Sequence, residues 1–392
     1  MRKEVLSILV VFLFIGCNSQ INNKVKIYPA AYELEEYLPL LEDKVIGVVA
    51  NHTSRIGQSH IVDTLIKLNI NIEAIFSPEH GFKGVYEAGE TIEDEEYKAQ
   101  SVQIISLYGR KQKPDSADLG NVELMVFDIQ DVGVRFYTYI STLHYVMQAC
   151  AEFNIPLVVL DRPNPHTSYI DGPILKEKHK SFVGMHPVPV VYGMTIGEYA
   201  QMINGEQWLG NNLQCDLRII RIRDYHRNSW YKYTQQPSPN LPNMQSIYLY
   251  PSLCFFEGTV MSIGRGTDFP FQVIGHPDCK GENFSFMPIS KPGASLNPKH
   301  EDVKCYGLDL RGIPIDSLQN QRKINLEYLD TYYFKMQMGD SFFTEYFELL
   351  AGTDSLRSQL ISGKSTGEIR ESWEKDLEEF NKIRVKYLIY PD

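Results

Sequence analysis

The sequence predicts an α/β protein, in which a Rossmann-like domain with a parallel sheet precedes a smaller α+β domain at the C-terminus. Short runs of consecutive apolar residues in the first half are typical of strands buried on both faces of a sheet. Segments with apolar residues at helical spacing alternate with these runs, which favours parallel strands joined by right-handed crossovers. Beyond residue 235 the alternation ends and prolines and glycines become frequent. We therefore expect the Rossmann-like domain over residues 25–235 and the second domain over residues 236–392.

Each strand of the first domain is predicted from one apolar run. The first, Val45 to Ala50 (VIGVVA), is bounded by the polar Asn51. The others span residues 72–76, 102–107, 124–129 and 156–160, and residues 217–222 are expected to add an edge strand.

The predicted helices carry apolar residues three or four positions apart. Ile61, Leu65 and Leu68 share one face of a helix after the first strand, and the T-x-x-E capping box of Thr195 and Glu198 begins a later helix. Further sets with this spacing are Ile140, Leu143, Met147 and Cys150; Phe343, Phe347 and Leu350; and, after the capping box of Ser365 and Glu368, Ile369, Trp373, Leu377 and Phe380.

Composition and charge exclude several classes of protein. Of 392 residues, 43% are hydrophobic and 22% are charged, which is ordinary for a globular protein and excludes disordered, collagen-like and coiled-coil chains. The 38 basic and 49 acidic residues give a net charge of −11. A nucleic-acid-binding protein needs a basic face to neutralise phosphates, so we expect no nucleic-acid partner.

Residues 1–17 predict a lipoprotein-type signal peptide. Arg2 and Lys3 precede an apolar run from Val5 to Ile15, which is too short to span about 30 Å of hydrocarbon. The run ends at Cys17 in a sequence, FIGC, that resembles a bacterial lipobox. We therefore expect lipidation at Cys17 and a periplasmic-side lipoprotein of the bacterial cell envelope, which touches the membrane only through its anchor. An ordinary signal peptide is the alternative.

The other five cysteines indicate neither a disulfide framework nor a zinc site, because their number is odd and no C-x-x-C spacing occurs. Other familiar motifs are absent as well. The first strand is not followed by G-x-G-x-x-G, and the chain has no P-loop, G-x-S-x-G or H-E-x-x-H sequence. We therefore expect no cofactor and no metal.

Polar side chains follow four predicted strands. They are Asn51 and His52; Glu79 and His80; Asp128, Gln130, Asp131, Arg135, Tyr137 and Tyr139; and Asp161, Arg162 and Asn164. The carboxyl ends of parallel strands meet at one edge of a sheet, so these residues predict a single cleft. Each residue alone has a structural explanation, such as an ion pair, a helix cap or a turn. Charge without a function at four converging turns is costly to desolvate, which favours a functional site.

Glu79 is the strongest catalytic candidate. Pro78 stiffens the backbone before it and Gly81 permits a tight turn after it. Such a loop can hold a carboxyl group in a partly apolar pocket, an environment that suits a general acid. His80 with Asp128 or Asp131 as metal ligands is an alternative, although their spacing is not diagnostic.

Several motifs together resemble the exo-lytic peptidoglycan β-N-acetylmuramidase family, which was long known only as a domain of unknown function. They are SPEHGF (77–82), FDIQDVGVRFYTY (127–139), LDRPNP (160–165), PSPNLP (237–242), FEGT (256–259) and GRGT (264–267). The resemblance implies hydrolysis of β-1,4-linked N-acetylmuramic acid from the non-reducing end of peptidoglycan fragments, in a cleft between a Rossmann-like and a smaller domain. One departure is Asp171, where relatives commonly have Glu.

Glycoside hydrolysis usually requires a protonated carboxyl and a second carboxylate. On the resemblance, Glu79 is the expected acid, and the second group is Asp128, Asp131 or Glu257, in that order. The 2-acetamido group of the substrate is an alternative nucleophile. The lactyl carboxylate of muramic acid is expected to bind Arg135, Arg162 or Arg265. Tyr137 and Tyr139 either line the sugar site or pack in the core.

Two other functions remain open from the sequence. An envelope lipoprotein that binds muropeptides without cleaving them is the principal alternative, although such a protein needs no constrained carboxyl at Glu79. A metal-dependent esterase or deacetylase is the other.

Overall fold

A computed structural model of the chain describes residues 26–87, 90, 93, 95–97 and 102–392. The predicted signal peptide and Cys17 lie outside these residues. In the described part of the chain, none of the helices is both long enough and apolar enough to span a bilayer.

The strands in chain order are β1 (Val45–Ala50), β2 (Arg55–Ile56), β3 (Ser59–His60), β4 (Asn71–Ser77), β5 (Glu95–Tyr97), β6 (Val102–Ser106), β7 (Leu124–Asp128), β8 (Leu157–Leu160), β9 (Leu217–Ile220), β10 (Val273–His276), β11 (Phe284–Phe286) and β12 (Cys305–Asp309). The helices are α1 (Leu34–Leu41), α2 (Ile61–Lys67), α3 (Ser116–Leu119), α4 (Tyr139–Phe153), α5 (Ile196–Gly205), α6 (Met244–Leu253), α7 (Ile315–Gln321), α8 (Glu327–Met336), α9 (Tyr346–Ala351), α10 (Ser355–Ile361) and α11 (Thr366–Arg384).

The central sheet has the strand order of a Rossmann fold. Its seven strands run β5-β6-β4-β1-β7-β8-β9, and all neighbours pair in parallel except β5, which is antiparallel to β6. The six parallel strands, numbered along the chain, have the order 3-2-1-4-5-6. The prediction of an α/β fold with a smaller C-terminal domain is confirmed, and each predicted strand ends within two residues of the observed one.

The sheet is buried on both faces, which explains its continuous apolar runs. Val48 and Val126 point into one hydrophobic cluster, which also contains residues of α1 and α2. Val49 and Phe127, one position later in the same strands, belong to a second, larger cluster on the other face. That cluster includes residues of α4 and α5 and of the C-terminal helices.

Local signals set the helix starts in both halves. The capping boxes at Thr195 and Ser365 are present, and each side-chain hydroxyl accepts from the main-chain N–H three residues later. The predicted helical position of Phe343 is wrong. Its backbone is extended, with φ −98° and ψ 149°, and α9 begins only at Tyr346.

The C-terminal part combines helices α6 to α11 with a three-stranded antiparallel sheet in the order β10-β12-β11. It is joined closely to the first domain. Trp373 and Phe380 of α11 lie in the same cluster as the residues of β7, and Arg384 donates hydrogen bonds to the carbonyl oxygens of Gly193 and Thr167. The two parts therefore share one core.

Candidate active site

One pocket contains Glu79 and is lined from both parts of the chain; we call it the Glu79 pocket. The first domain contributes Glu79, His80, Tyr108, Phe136, Tyr137, Thr138 and Val183. Later segments contribute Ser238, Asn240, Leu241, Tyr250, Glu257, Arg265, Phe271 and Tyr346. Five of the residues predicted from the sequence are therefore neighbours here: Glu79, His80, Tyr137, Glu257 and Arg265.

Glu79 lies in a tight turn directly after β4. The N–H of Gly81 donates to the carbonyl oxygen of Pro78 at 2.9 Å, and Gly81 has a φ of +72°, which glycine adopts without strain. The side chain is 8% exposed, and Thr138 Oγ1 donates a 2.5 Å hydrogen bond to Glu79 Oε2. Thr138 lies between β7 and α4. The segments that follow β4 and β7 therefore together fix this carboxyl group.

His80 has one ring nitrogen bound to the main chain. Its Nδ1 lies 2.8 Å from the carbonyl oxygen of Tyr86, which can only accept, so Nδ1 carries the proton. Burial lowers the pKa of His80, against the opposing effect of Glu79. A neutral ring with Nδ1 protonated leaves Nε2 as a hydrogen-bond acceptor.

Glu257 and Arg265 form an ion pair across the pocket from two consecutive turns. Glu257 belongs to a short 3₁₀ turn, Cys254–Gly258, that follows α6. Lys299 stabilises this turn, because its Nζ donates to the carbonyl oxygens of Phe256, at 3.1 Å, and Glu257, at 2.8 Å. At Gly258 an added Cβ would lie 2.4 Å from the Cα of Phe347, so only glycine fits.

Two residues of the pocket have left-handed backbone conformations. His80 has a φ of +70° and Phe271 a φ of +57°. Among the described residues, Phe271 is the only apolar non-glycine residue with a positive φ. Such conformations cost on the order of 1–3 kcal/mol and concentrate at functional sites. Their presence on two walls of one pocket supports its assignment as the active site.

Asn240 is a pocket residue that the sequence interpretation missed. It is 3% exposed, its Nδ2 donates to the carbonyl oxygen of Ala294 at 2.8 Å, and its Oδ1 is buried without a hydrogen-bond partner. It belongs to the PSPNLP motif, which was a usable signal. Tyr108 and Tyr346 were also missed, and nothing in their sequence context marks them.

The Glu79 pocket is narrow, with a cavity volume of about 110 Å³. Small-molecule sites commonly measure about 300–1,000 Å³. A sugar ring therefore enters only if side chains at the mouth move aside. Among the side chains that line the pocket, Tyr346 is exposed, at 38%.

The other predicted residues do not line this pocket, and most form a buried network at the strand ends. We call it the strand-end network, and its members are Asn51, Asp128, Gln130, Asp131, Asp161, Arg162 and Asn164. All of them are at most 4% exposed. Their polar atoms mostly bind one another or the main chain.

Asp128 and Arg162 form the centre of the network. Arg162 donates from Nε to Asp128 Oδ1 at 2.6 Å and from Nη2 to Oδ2 at 2.9 Å, and both side chains are at most 3% exposed. Asn51 accepts from Thr53 and donates to the hydroxyl of Tyr139 at 2.9 Å. Asp128 and Arg162, predicted as a catalytic residue and a lactyl ligand, thus bind each other and lie outside the Glu79 pocket.

Asp131 and Asp161 are enclosed carboxyl groups. Asp131 Oδ2 accepts from Tyr192 and from the N–H of Gly133, and Asp161 accepts from Thr195 and Tyr390. Burial raises the pKa of each carboxyl to about 6. Neither group reaches the Glu79 pocket. Of the three candidates for the second catalytic group, only the last, Glu257, lies there.

Arg135 requires a correction. It is fully buried, and its Nη1 and Nη2 donate to four carbonyl oxygens, those of Pro173, Val188, Leu350 and Ala351, at 2.7–2.9 Å. Its guanidinium group therefore ties the two parts of the chain together and does not face substrate.

The remaining predicted residues have other environments. Gln130 donates to main-chain oxygens of Asp131 and Pro163, and Asn164 bridges the carbonyl oxygen of Met194 and the N–H of His166. His52 binds the carbonyl oxygen of Gln236 and lines a neighbouring pocket.

Asp171, the departure from the family pattern, accepts from Arg370 and from the N–H of Ile324, away from the Glu79 pocket. Among the described residues, no group of three or more His, Cys, Asp or Glu side chains is arranged to hold a metal ion.

The Rossmann-like α/β domain and the smaller second domain bring two carboxyl groups to one aromatic-lined pocket. Two carboxyl groups are what most glycosidases use, so the fold and the pocket together fit a two-domain hydrolase of that class. Family models identify it further. The N-terminal domain of exo-β-N-acetylmuramidase NamZ matches residues 46–245, and the C-terminal domain of the same family matches residues 248–390. The chain belongs to this family.

Individual relatives agree. The peptidoglycan β-N-acetylmuramidase NamZ of Bacillus subtilis (strain 168) is 37% identical over 375 residues, which cover 91% of this chain and 89% of that protein. Crystal structures of two DUF1343 family proteins from Bacteroides fragilis NCTC 9343 are similar, one at 44% identity with a TM-score of 0.86, covering 94% of this chain and 99% of that one. The other has 26% identity and a TM-score of 0.77, covering 93% and 99%. The chain is therefore a glycosidase with peptidoglycan muramidase activity.

Proposed function

We propose that the protein removes N-acetylmuramic acid from the non-reducing end of peptidoglycan fragments, with Glu79 as the general acid in the Glu79 pocket. The observation that carries this proposal is the placement of Glu79. It is buried and held by Thr138, and it shares an aromatic-lined pocket with a second carboxylate, Glu257.

In the proposed reaction, Glu79 donates its proton to the glycosidic oxygen as the bond between that oxygen and C1 of muramic acid breaks. The sugar ring then carries the positive charge of an oxocarbenium-like transition state. Glu257, which forms an ion pair with Arg265, supplies the compensating negative charge. Water adds to C1 as hydroxide, and its remaining proton passes to Glu79, or to Glu257 if that carboxylate activates the water.

Two routes are open for the second group. Glu257 acts directly at C1 or through a water, or it orients the 2-acetamido group of the substrate, whose oxygen attacks C1. Azide distinguishes them in the variant Glu257→Ala. Azide can take the place of a missing carboxylate at C1, so rescue of turnover with formation of a glycosyl azide supports direct action, and no rescue supports the acetamido route.

Arg265 is the proposed ligand of the lactyl carboxylate. Among the described residues, its hydrogen bond to Glu257 uses Nε, which leaves the terminal amino groups for a second carboxylate. Its guanidinium group also lies 5.3 Å from the ring centre of Phe271, which restricts its orientation. Two parallel N–H···O bonds to a carboxylate are the geometry that arginine favours.

The decisive experiment is Glu79→Gln with a disaccharide of N-acetylmuramic acid linked to N-acetylglucosamine. We expect the variant to fold normally and to lose about 10²- to 10⁴-fold in kcat, the usual contribution of a general acid. Mass spectrometry of the released sugars measures turnover, and thermal unfolding checks the fold. Glu36→Gln, at an exposed position of α1, is the matched control. Turnover of Glu79→Gln close to wild type would remove Glu79 from the mechanism.

The lactyl contact is tested with matched chromogenic N-acetylmuramide and N-acetylglucosaminide. We expect kcat/KM to differ by about 100-fold, since a charge-assisted hydrogen bond contributes about 1.5–3 kcal/mol and each 1.4 kcal/mol is a factor of ten. Arg265→Gln should abolish most of this preference. Equal rates on the two substrates with the wild-type enzyme would show that the lactyl group is not recognised.

We also propose lipidation at Cys17, on the basis of the lipobox-like sequence alone. Cys17→Ser should move the protein from the membrane fraction to the soluble periplasmic fraction. Fractionation that still depends on detergent in the variant would contradict a lipid anchor.

A further inference from the structure

Two pockets adjoin each other beside the active site. The larger has a cavity volume of about 520 Å³ and the other about 390 Å³. They share Arg55, Lys232 and Thr234 in their walls. We call the pair the basic groove.

The charge of the groove is opposite to that of the protein. Its walls contain Lys26, Arg55, Lys83, Arg162 and Lys232, of which Arg162 is already paired with the buried Asp128, and among the described lining residues there is no Asp or Glu. The whole chain carries 49 acidic and 38 basic residues. Cations concentrated in a concave surface without carboxylates create a local positive potential that attracts anions.

Two of these cations lack a protein counter-ion. Among the described residues, no carboxylate forms an ion pair with Arg55 or Lys232. Arg55 Nε is also buried without a hydrogen-bond partner, while its Nη2 donates to the carbonyl oxygen of Gln58. A buried, unsatisfied donor is costly, and an anionic or hydroxyl acceptor from a ligand would satisfy it.

Two loops contribute residues both to the groove and to the Glu79 pocket. His80 lines the Glu79 pocket and Lys83, three residues later, lines the groove. On the facing loop, Pro237 lines the groove and Ser238 lines the Glu79 pocket. The groove therefore lies next to the Glu79 pocket, on the side that these two loops form.

Aromatic faces complete the groove. Its smaller pocket is lined by Tyr28, Tyr32, Trp230 and Tyr231, and Trp230 is 43% exposed. Exposed aromatic rings beside cations suit a ligand that alternates sugar rings with carboxylates, because the rings pack against apolar sugar faces while the cations pair with the acids.

We propose that the basic groove binds the part of the glycan beyond the scissile bond, and that Arg55 and Lys232 bind a carboxylate on the second muramic acid of that glycan. This carboxylate belongs either to the lactyl group itself or to a peptide attached to it. The proposal rests on the proposed function, since it assumes that the muramic acid at the non-reducing end occupies the Glu79 pocket.

The test compares substrates that reach the groove with one that does not. The long substrate is a tetrasaccharide of alternating N-acetylmuramic acid and N-acetylglucosamine, and the short one is a chromogenic N-acetylmuramide. For Arg55→Gln/Lys232→Gln we expect kcat/KM on the tetrasaccharide to fall at least ten-fold, mainly through KM. The rate on the short substrate should stay within two-fold of wild type.

Two further tetrasaccharides identify the carboxylate. In one, the lactyl group of the second muramic acid is reduced to the alcohol; in the other, it carries a peptide. If the lactyl group is bound, reduction alone abolishes the effect of the double variant. If a peptide carboxylate is bound, only the peptide-bearing tetrasaccharide shows the effect.

The matched control is Lys364→Gln/Lys375→Gln, which removes two positive charges at exposed positions outside the groove. Equal losses on both substrates, or no loss on any tetrasaccharide, would overturn the proposal. The single variant Lys232→Gln, at an exposed position, gives the same comparison if Arg55→Gln does not fold. A wild-type enzyme that cleaves none of the substrates would instead contradict the proposed function.

Discussion

The Glu79 pocket and the strand-end network both contain polar residues that follow strands of the same sheet, yet their polar atoms and backbones differ. In the network, Asp128 binds Arg162 and Asn51 binds Thr53 and Tyr139. In the pocket, Asn240 Oδ1 has no partner, and two residues, His80 and Phe271, have positive φ angles. Most polar atoms of the network are paired within the protein, with Asp131 Oδ1 as an exception, whereas the pocket combines an unpaired amide oxygen with two constrained backbone positions.

This difference shows that a polar residue at the end of a strand is not by itself a sign of a ligand site in this fold. In Rossmann-like sheets the ligand crevice lies where the strand order reverses, here between β1 and β7. Asn51 follows β1 and Gln130 follows β7, and both belong to the network. Network residues therefore occupy part of the usual crevice, and the pocket with Glu79 opens beside it, after β4.

The largest expected effect that tests this comparison is loss of stability at the centre of the network. Arg162→Gln leaves the Asp128 carboxylate buried without its cation, and breaking such a pair costs about 3–5 kcal/mol. We expect urea denaturation to show this loss. Turnover of a chromogenic N-acetylmuramide per folded molecule should stay close to wild type.

A double-mutant cycle separates the pair from its surroundings. Asp128→Asn together with Arg162→Gln removes both charges, so the double variant should be more stable than Arg162→Gln alone. A small change in stability with a large loss of turnover would instead return Asp128 or Arg162 to the catalytic machinery.

Most of the first domain could be predicted because strands buried on both faces of a sheet appear in the sequence as continuous apolar runs. The runs at β1, β4 and β7 are continuous and apolar, and each predicted the correct strand. The second domain left a weaker record. Its strands β10, β11 and β12 have three to five residues and lie among prolines and glycines, so tertiary pairing decides them. Phe343 matched a helical spacing, but it lies in an extended segment before α9.

The site was predictable only in part, because sequence identifies polar residues at strand ends but not their partners. Glu79 and Asp128 look alike in the sequence, since each follows a strand in a motif. Whether a carboxylate meets an arginine from the next strand, as Asp128 does, depends on the packing of distant segments. Tyr346 reaches the pocket from α9, about 270 residues after Glu79, and no local pattern marks such a contact.

The next effect concerns the carboxyl group of Asp131. Burial raises its pKa from 3.8 to about 6, so its contribution to stability is present below pH 3.8 and is lost as the pH rises through 6. Asn does not titrate, so Asp131→Asn does not lose stability in this way as the pH rises. We expect the free energy of unfolding of Asp131→Asn, relative to wild type, to rise by about 2 kcal/mol between pH 4 and pH 7, since each pKa unit corresponds to 1.36 kcal/mol and part of the titration lies below pH 4.

The difference between variant and wild type is needed because histidines act in the opposite direction. Burial lowers the pKa of His144 and His166 to about 4, so their contribution is present above pH 6.5 and is lost as the pH falls toward 4. Wild type and Asp131→Asn both retain these histidines, so the difference between their free energies of unfolding cancels the histidine contribution. A difference that is independent of pH would contradict the raised pKa of Asp131, and Glu36→Gln controls for the loss of an exposed carboxyl.

The smallest expected effect comes from replacing two asparagines, one in each region, and comparing activity with stability. Asn164 in the network uses both amide atoms, whereas Asn240 in the pocket leaves Oδ1 without a partner. A hydroxyl or amide N–H of the bound sugar would satisfy that oxygen, and a hydrogen bond contributes about 1 kcal/mol net. We therefore expect Asn240→Ala to lower kcat/KM on a chromogenic N-acetylmuramide about five-fold with little change in thermal stability.

Asn164→Ala should show the reverse pattern. Its loss leaves the N–H of His166 and the carbonyl oxygen of Met194 unsatisfied inside the protein, which costs about 1–3 kcal/mol for each group left unpaired. Thermal unfolding should therefore occur at a lower temperature, while kcat/KM per folded molecule stays close to wild type. If Asn240→Ala instead lowered only the stability, its unpaired oxygen would not be a substrate contact.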